Sequence, residues 1–182
     1  MRIRNVIATL NGVKGKQSRL LIFILFFIVA ITVNDAVGSE KLPAPDWTLK
    51  TLDNKKASLK DFNGKYIFLN FWATWCGPCI DEMPSMEKLY QKFKNRKNFE
   101  MLAVSIDKGG ADAVRKFVTE NKLSFTILLD GDSEVAAAYG VMGIPSTYLI
   151  DPQGYIINRA VGGRTWDTKD SIEFFEKMLG GK

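Results

Sequence analysis

Apolar and polar positions follow two periods along this chain, and the changes between them outline most of a fold. From Tyr66 to Trp72 the residues are apolar almost without a break, Asn70 being the exception. Such a run predicts a strand covered on both faces, as in a parallel or mixed sheet. Ile80, Met83, Met86, Tyr90 and Phe93 then recur at three- and four-residue spacing, which predicts a helix with one buried stripe. Met101 to Ile106 reads as the next buried strand. Val114, Phe117 and Val118 mark a second helix ending near Asn121, and Thr126 to Leu129 a short strand. Ser133 is placed to cap a brief helix through Tyr139, stopped by Gly140. Ser146 to Ile150 is a strand, and Asp151-Pro152-Gln153-Gly154 a turn into Tyr155-Ile156-Ile157. Ile172, Phe175 and Leu179 make a last helix, capped by Thr168 or Asp167 and ended by Gly180. Upstream, Trp47-Thr48-Leu49 and Ala57-Ser58-Leu59 flank a polar Asp53-Asn54 turn, an N-terminal β-hairpin. The alternation predicts an α/β domain, a mixed sheet with helices on both faces. Its site belongs at the carboxyl ends of the parallel strands.

The first 38 residues read differently. Arg2, Arg4, Lys14, Lys16 and Arg19 precede an apolar run of 14 residues, Leu20 to Val33. A spanning helix needs ~20 apolar residues, and runs of roughly 10–14 belong more often to signal peptides. Ala36-Val37-Gly38 offers a small-residue cleavage site before Ser39. Residues 1–38 are therefore expected to be a signal peptide, or an uncleaved anchor through residues 20–33. Either way the basic end stays cytoplasmic and the rest is periplasmic or otherwise extracytoplasmic. Ser39 to Pro45 reads as a linker, and residues 46–182 as the domain. The leader holds five of the 25 basic residues and one of the 20 acidic ones, which leaves the remainder at +1. The basic balance is thus a targeting feature and no argument for nucleic acid. A monomer touching membrane only through its N-terminal segment is expected.

The chemistry concentrates in Trp75-Cys76-Gly77-Pro78-Cys79, which contains both cysteines of a chain without histidine. Structural zinc wants four Cys or His ligands, so a site would need two chains or carboxylates. Covalent haem attachment needs His after the second Cys, where Ile80 stands. An inert disulfide closing so short a loop stabilises little. Reversible dithiol–disulfide exchange fits the spacing, because a second thiol must stand near to resolve the mixed disulfide. Pro78 favours the first helical turn. The helix N-terminus stabilises a Cys76 thiolate, the exposed nucleophile, while Cys79, one turn in, faces the core and resolves. No imidazole base is then required, and Cys-His and Ser-His hydrolases are excluded.

The stretch Phe71 to Cys79 resembles the active-site strand–turn–helix of the thioredoxin superfamily. Gly143-Ile144-Pro145-Ser146-Thr147 is similar to its second hallmark, a cis-proline loop opposite the cysteines. The leader, the hairpin, the length of Asp107–Tyr139, Tyr139-Gly140-Val141-Met142-Gly143-Ile144-Pro145 and Leu149-Ile150-Asp151-Pro152-Gln153-Gly154 look like the exported TlpA/ResA-like branch. That resemblance, over about residues 43–179, implies a thioredoxin-like sheet with a central helix–strand insertion. It implies a thiol-disulfide oxidoreductase of the cytochrome c maturation type. No cofactor beyond the Cys76–Cys79 pair and no metal are expected.

Asn70 stands where thioredoxin usually has a buried Asp, and cannot take a proton. Glu82 matches a Glu the branch often carries. It is expected to be an acid–base group beside Cys79, raised in pKa by burial; the alternative is a solvated Glu supporting the first turn, as Asp81 would. Pro84 is expected to shape the helix. Pro145 is expected to be cis, with Ile144 pairing its backbone to an extended client. Trp75, Gly77 and Pro78 would complete the docking surface. The Gly-Pro pair resembles thioredoxin, at about −270 mV, more reducing than DsbA at about −120 mV. The expected direction is reduction of client disulfides, apocytochrome c among them, fed by a membrane thiol-transfer donor. A peroxiredoxin would want Pro and Thr where Leu69 and Ala73 stand. A copper carrier on the same fold would add a histidine, and a non-catalytic binding module would not need both cysteines.

Overall fold

A computed structural model of the chain describes residues 41–180. Its strands are β1 (Leu42–Pro43), β2 (Thr48–Thr51), β3 (Lys56–Ser58), β4 (Tyr66–Trp72), β5 (Phe99–Ser105), β6 (Thr126–Leu129), β7 (Ser146–Ile150) and β8 (Tyr155–Val161). The helices are α1 (Gly77–Phe93), α2 (Ala111–Glu120), α3 (Glu134–Ala138) and α4 (Lys169–Met178), with a 3-10 turn at Leu59–Phe62. All eight strands join one sheet in the order β1-β8-β7-β4-β5-β6-β2-β3. β4, β5 and β6 run parallel; β7 lies antiparallel to β4, β8 to β7, and β2 to both β6 and β3. α2 and β6 form the expected helix–strand insertion, adding a parallel strand beyond β5.

Alternation along β4 explains its unbroken apolar character. Ile67, Leu69 and Phe71 enter one core layer with Leu102, Val104, Leu128, Ala136 and Tyr139. Phe68 and Trp72 enter the other, with Met83, Met86, Leu89 and Phe93 of α1, Val114 of α2 and Phe175 of α4. A strand covered on both faces has no position left for an exposed polar residue. Asn70, fully buried among these residues, is consequently the informative exception. The ends of β4, β6 and β7 fall where the apolar runs end.

Two expectations change. Leu42–Pro43, read as linker, pairs antiparallel with Tyr155–Ile156 of β8. Leu42–Pro43 therefore belongs to the sheet, fixed by a partner more than a hundred residues away. Ser133 occupies the N-cap position of α3 but makes no side-chain cap bond, and its backbone is left-handed at φ 62°. Asp130, buried, caps instead: its carboxylate accepts the N–H groups of Val135 (3.2 Å) and Ala136 (2.8 Å). At the last helix the hydroxyl of Thr168 accepts from Ser171 N–H, which selects Thr168 over Asp167. The leader, its cleavage site and the anchor alternative lie outside the described residues. Among the described residues no helix is long and apolar enough to cross a membrane.

Asp130→Ala removes both donated bonds of the α3 cap and is expected to destabilise the fold by about 1–2 kcal/mol. Ser133→Ala should change stability by less than about 0.5 kcal/mol. Urea denaturation of the two variants checks the assignment, and equal losses would return the cap to Ser133.

Candidate active site

β4 delivers the chain to the carboxyl edge of the sheet, and α1 begins five residues later. Thr74 is clamped there by Asp107, the first polar residue beyond the β5 run. The Asp107 carboxylate accepts Thr74 N–H at 3.0 Å, Thr74 O–H at 2.5 Å and Ser105 O–H at 2.7 Å. The turn that presents the cysteines is thereby tied to the neighbouring parallel strand. Asp107 escaped the sequence reading, although a polar residue at a parallel strand's carboxyl end was a usable signal.

Cys76 is the N-cap of α1, and its Sγ accepts the Cys79 N–H at 3.3 Å. Pro78 lies in the first turn, where its missing N–H leaves no helical bond unmade. The two sulfurs are joined in a disulfide. Cys79 is wholly buried, as its place one turn into the helix requires; Cys76 is only 6% exposed. That corrects the expectation of an open nucleophile. As a cap, Cys76 folds back over the helix end, with the Ile144 carbonyl 3.7 Å from its sulfur. Its chain neighbours Trp75, Gly77 and Pro78 are exposed.

The Ile144–Pro145 peptide is cis, and its loop lies against Cys76. Met142 in the same loop is 95% exposed and Trp75 67%, two large apolar side chains left in water near the disulfide. Met142 was missed because nothing in a single sequence distinguishes an exposed apolar residue from a buried one.

Glu82 is buried, at 2% exposure, one helical turn beyond Cys79. No acidic residue occupies the first turn of α1, so the alternative of a solvated first-turn glutamate is set aside. One carboxylate oxygen accepts Asn70 Nδ2 at 2.9 Å; the other accepts Arg164 N–H at 3.1 Å and the Trp166 indole N–H at 3.0 Å. Burial pushes its pKa above the usual carboxylate value. The bonds from Trp166, Asn70 and the Arg164 backbone, and the Arg164 charge, pull the other way without cancelling it. The loop supplying Arg164 and Trp166 approaches α1 closely: a Cβ on Gly163 would lie 2.9 Å from the Pro78 carbonyl oxygen. Ser85 completes the junction, donating to Glu82 O and accepting Trp166 N–H. Trp166 gave no signal, since its partner lies 84 positions away. Pro84 sits within α1, which continues through it.

The arrangement holds a disulfide at a helix N-terminus, Cys76 almost covered and Cys79 wholly buried, with a carboxyl within one turn of Cys79. It can exchange disulfides and move a proton in the buried layer. A profile described as the AhpC/TSA family matches residues 41–159. The chain belongs to that family. It is similar to the thiol-disulfide oxidoreductase ResA of Bacillus cereus, at 36% identity over 178 residues, covering 90% of this chain and 98% of the relative. ResA of Bacillus subtilis is 34% identical, over 80% of this chain and 83% of the relative. Among solved structures, one described as a thiol:disulfide interchange protein DsbE from Chlorobium tepidum superposes with a TM-score of 0.70 at 31% identity. It covers 77% of this chain and 97% of that one. These relatives and the Cys76–Cys79 pair make the chain a thioredoxin-like thiol-disulfide oxidoreductase, whose partners bear disulfides.

The raised pKa of Glu82 has a signed consequence. The folded chain holds that proton to higher pH than the unfolded chain does. Stability from this group is full below the ordinary carboxylate value and is lost as pH rises through the folded value. Glu82→Gln should flatten that decline in the oxidised protein. Chemical denaturation across the acidic range checks it, and parallel slopes for the two proteins would contradict the raised value.

Proposed function

We propose that this chain is an extracytoplasmic reductase that breaks disulfides in client proteins, apocytochrome c among them, and is recharged by a membrane thiol-transfer donor. It works as a monomer, exported by residues 1–38 and either released or held at the membrane by residues 20–33. The observation that carries the reading is the disulfide at the α1 N-terminus, with the cis-Pro145 loop on one side and buried Glu82 on the other. The leader's composition supports the compartment, and the Gly77-Pro78 pair supports the reducing direction.

In the reduced protein the Cys76 thiolate, favoured by the helix start, attacks one sulfur of a client disulfide. A mixed disulfide forms, and the other client sulfur leaves as a thiol after gaining a proton. Trp75, Gly77 and Pro78 line the docking face, and the Ile144 backbone pairs with the extended client segment beside cis-Pro145. The Cys79 thiol then passes its proton to the Glu82 carboxylate and attacks Cys76 Sγ. Glu82 gives that proton up as the expelled client thiolate takes one, so the client leaves as a dithiol and the Cys76–Cys79 disulfide is restored. Two electrons and two protons reach the client, and a donor dithiol replaces them.

Cys79→Ala should accumulate mixed disulfides on Cys76 in an exported-protein extract, and Cys76→Ala should capture none. Glu82→Gln should slow resolution by about tenfold to a hundredfold with capture unchanged, followed by stopped-flow reduction of a test disulfide. The potential, read by equilibration with glutathione, should fall near the thioredoxin value of about −270 mV. A value near that of DsbA would reverse the direction.

A further inference from the structure

Reduction of the disulfide creates a buried hydrogen-bond donor, and the oxidised structure holds one buried side-chain acceptor without a partner. Three buried side-chain polar atoms among the described residues lack a partner: Trp47 Nε1, Trp72 Nε1 and Asn70 Oδ1. The first two are donors, so Asn70 Oδ1 is the one unpartnered acceptor. Its amide cannot turn to serve it. Nδ2 donates to Glu82 at 2.9 Å and to Thr147 Oγ1 at 3.0 Å, and a carboxylate can only accept. Thr147 stands directly across the β4–β7 ladder from Asn70 and anchors the amide from the sheet side.

We propose that Asn70 is a redox-dependent positioning residue: Nδ2 fixes Glu82 in both states, and Oδ1 accepts the Cys79 thiol hydrogen when the disulfide is reduced. This rests on Cys76 and Cys79 being the working dithiol. In the disulfide neither sulfur carries hydrogen. When a partner dithiol is oxidised to a disulfide, the Cys76–Cys79 bond takes up its two electrons and two protons and becomes two thiols. Cys79 is wholly buried, so its thiol is shut off from bulk solvent. It lies one turn before Glu82, whose carboxylate touches Asn70. It also shares its core cluster with Phe68 and Trp72, the residues that flank Asn70 on the same face of β4. The thiol is a weak donor, and a fixed amide carbonyl is a better acceptor for it than surrounding apolar carbon. An Asp at this position would place a second carboxyl about 3 Å from Glu82, and the pair would share one proton. Asn supplies the acceptor and leaves Glu82 the only proton carrier of the layer.

The test uses the full chain with Cys76→Ala, in which Cys79 is the only thiol. Its infrared S–H stretching band, at mildly acidic pH, should lie below that of a free thiol in apolar solvent. Adding Asn70→Leu should return it to the free position; Asn70→Ala gives the same reading if the leucine variant does not fold. In the two-cysteine chain, Asn70→Leu removes a bond present only in the reduced form. It should make the potential more reducing, by up to about tenfold in the exchange constant, or about 30 mV. A band at the free-thiol position with Asn70 present, a band that residue 70 does not move, or an unchanged potential overturns the proposal. So does a band released by Glu82→Gln and not by Asn70→Leu, which would give the hydrogen to the carboxylate. Insulin reduction by the unaltered chain is measured alongside. No exchange there sinks the dithiol reading itself, whereas normal exchange with an unlowered band sinks only the role of Asn70.

Discussion

A carboxyl group taken out of water must find donors inside the protein or lose its charge, and this constraint organises the working half of the molecule. Glu82 has no buried cation beside it. It is held by three hydrogen bonds from three different segments: Asn70 on the central strand, the Arg164 main chain and the Trp166 indole. Charge-assisted bonds of this kind are roughly twice as strong as neutral ones, and removing one leaves a buried charge underserved. The carboxyl therefore locks β4, α1 and the 162–167 loop into one arrangement. That same arrangement puts an ionisable group one turn from the inner sulfur.

The outer half of the site answers to a different demand. In the proposed exchange Cys76 has to reach a client sulfur, and it stands as the N-cap at the positive end of α1. Its reach is nevertheless limited, because a capping side chain turns inward and the Ile144 carbonyl sits against it. The exposed apolar residues are displaced to the rim, at Trp75 and Met142. A client would meet this rim before it met the sulfur. The Thr74–Asp107 clamp holds the presenting turn from behind, so that the sulfur's position depends on β5 as well as on β4.

Much of this was legible in the order of residues. β4, β6 and β7 coincide with their apolar runs, and α1 with its three- and four-residue stripe, because both faces of this sheet are covered and the pattern is strict. The cysteine pair, its helix start and the proline loop followed from spacing and from two motifs in the right order. What failed was one feature with a remote partner and one that turned on local backbone geometry. β1 exists because β8 lies beside it; the α3 cap went to Asp130 because Ser133 entered the left-handed region.

The chain order alone determined the alternation of strands and helices, the place of the cysteine pair at a helix start and the burial of Cys79. Those depend on periodicity, capping and two-residue spacing, which act over one or two turns. Only the folded structure decided that Glu82 is buried, that Arg164 and Trp166 hold it, and that Asn70 keeps a free acceptor in the same layer. The physical reason is that a hydrogen bond closed across some eighty residues leaves no local trace. Donor and acceptor must each be compatible with their own element, and nothing in either segment names the other.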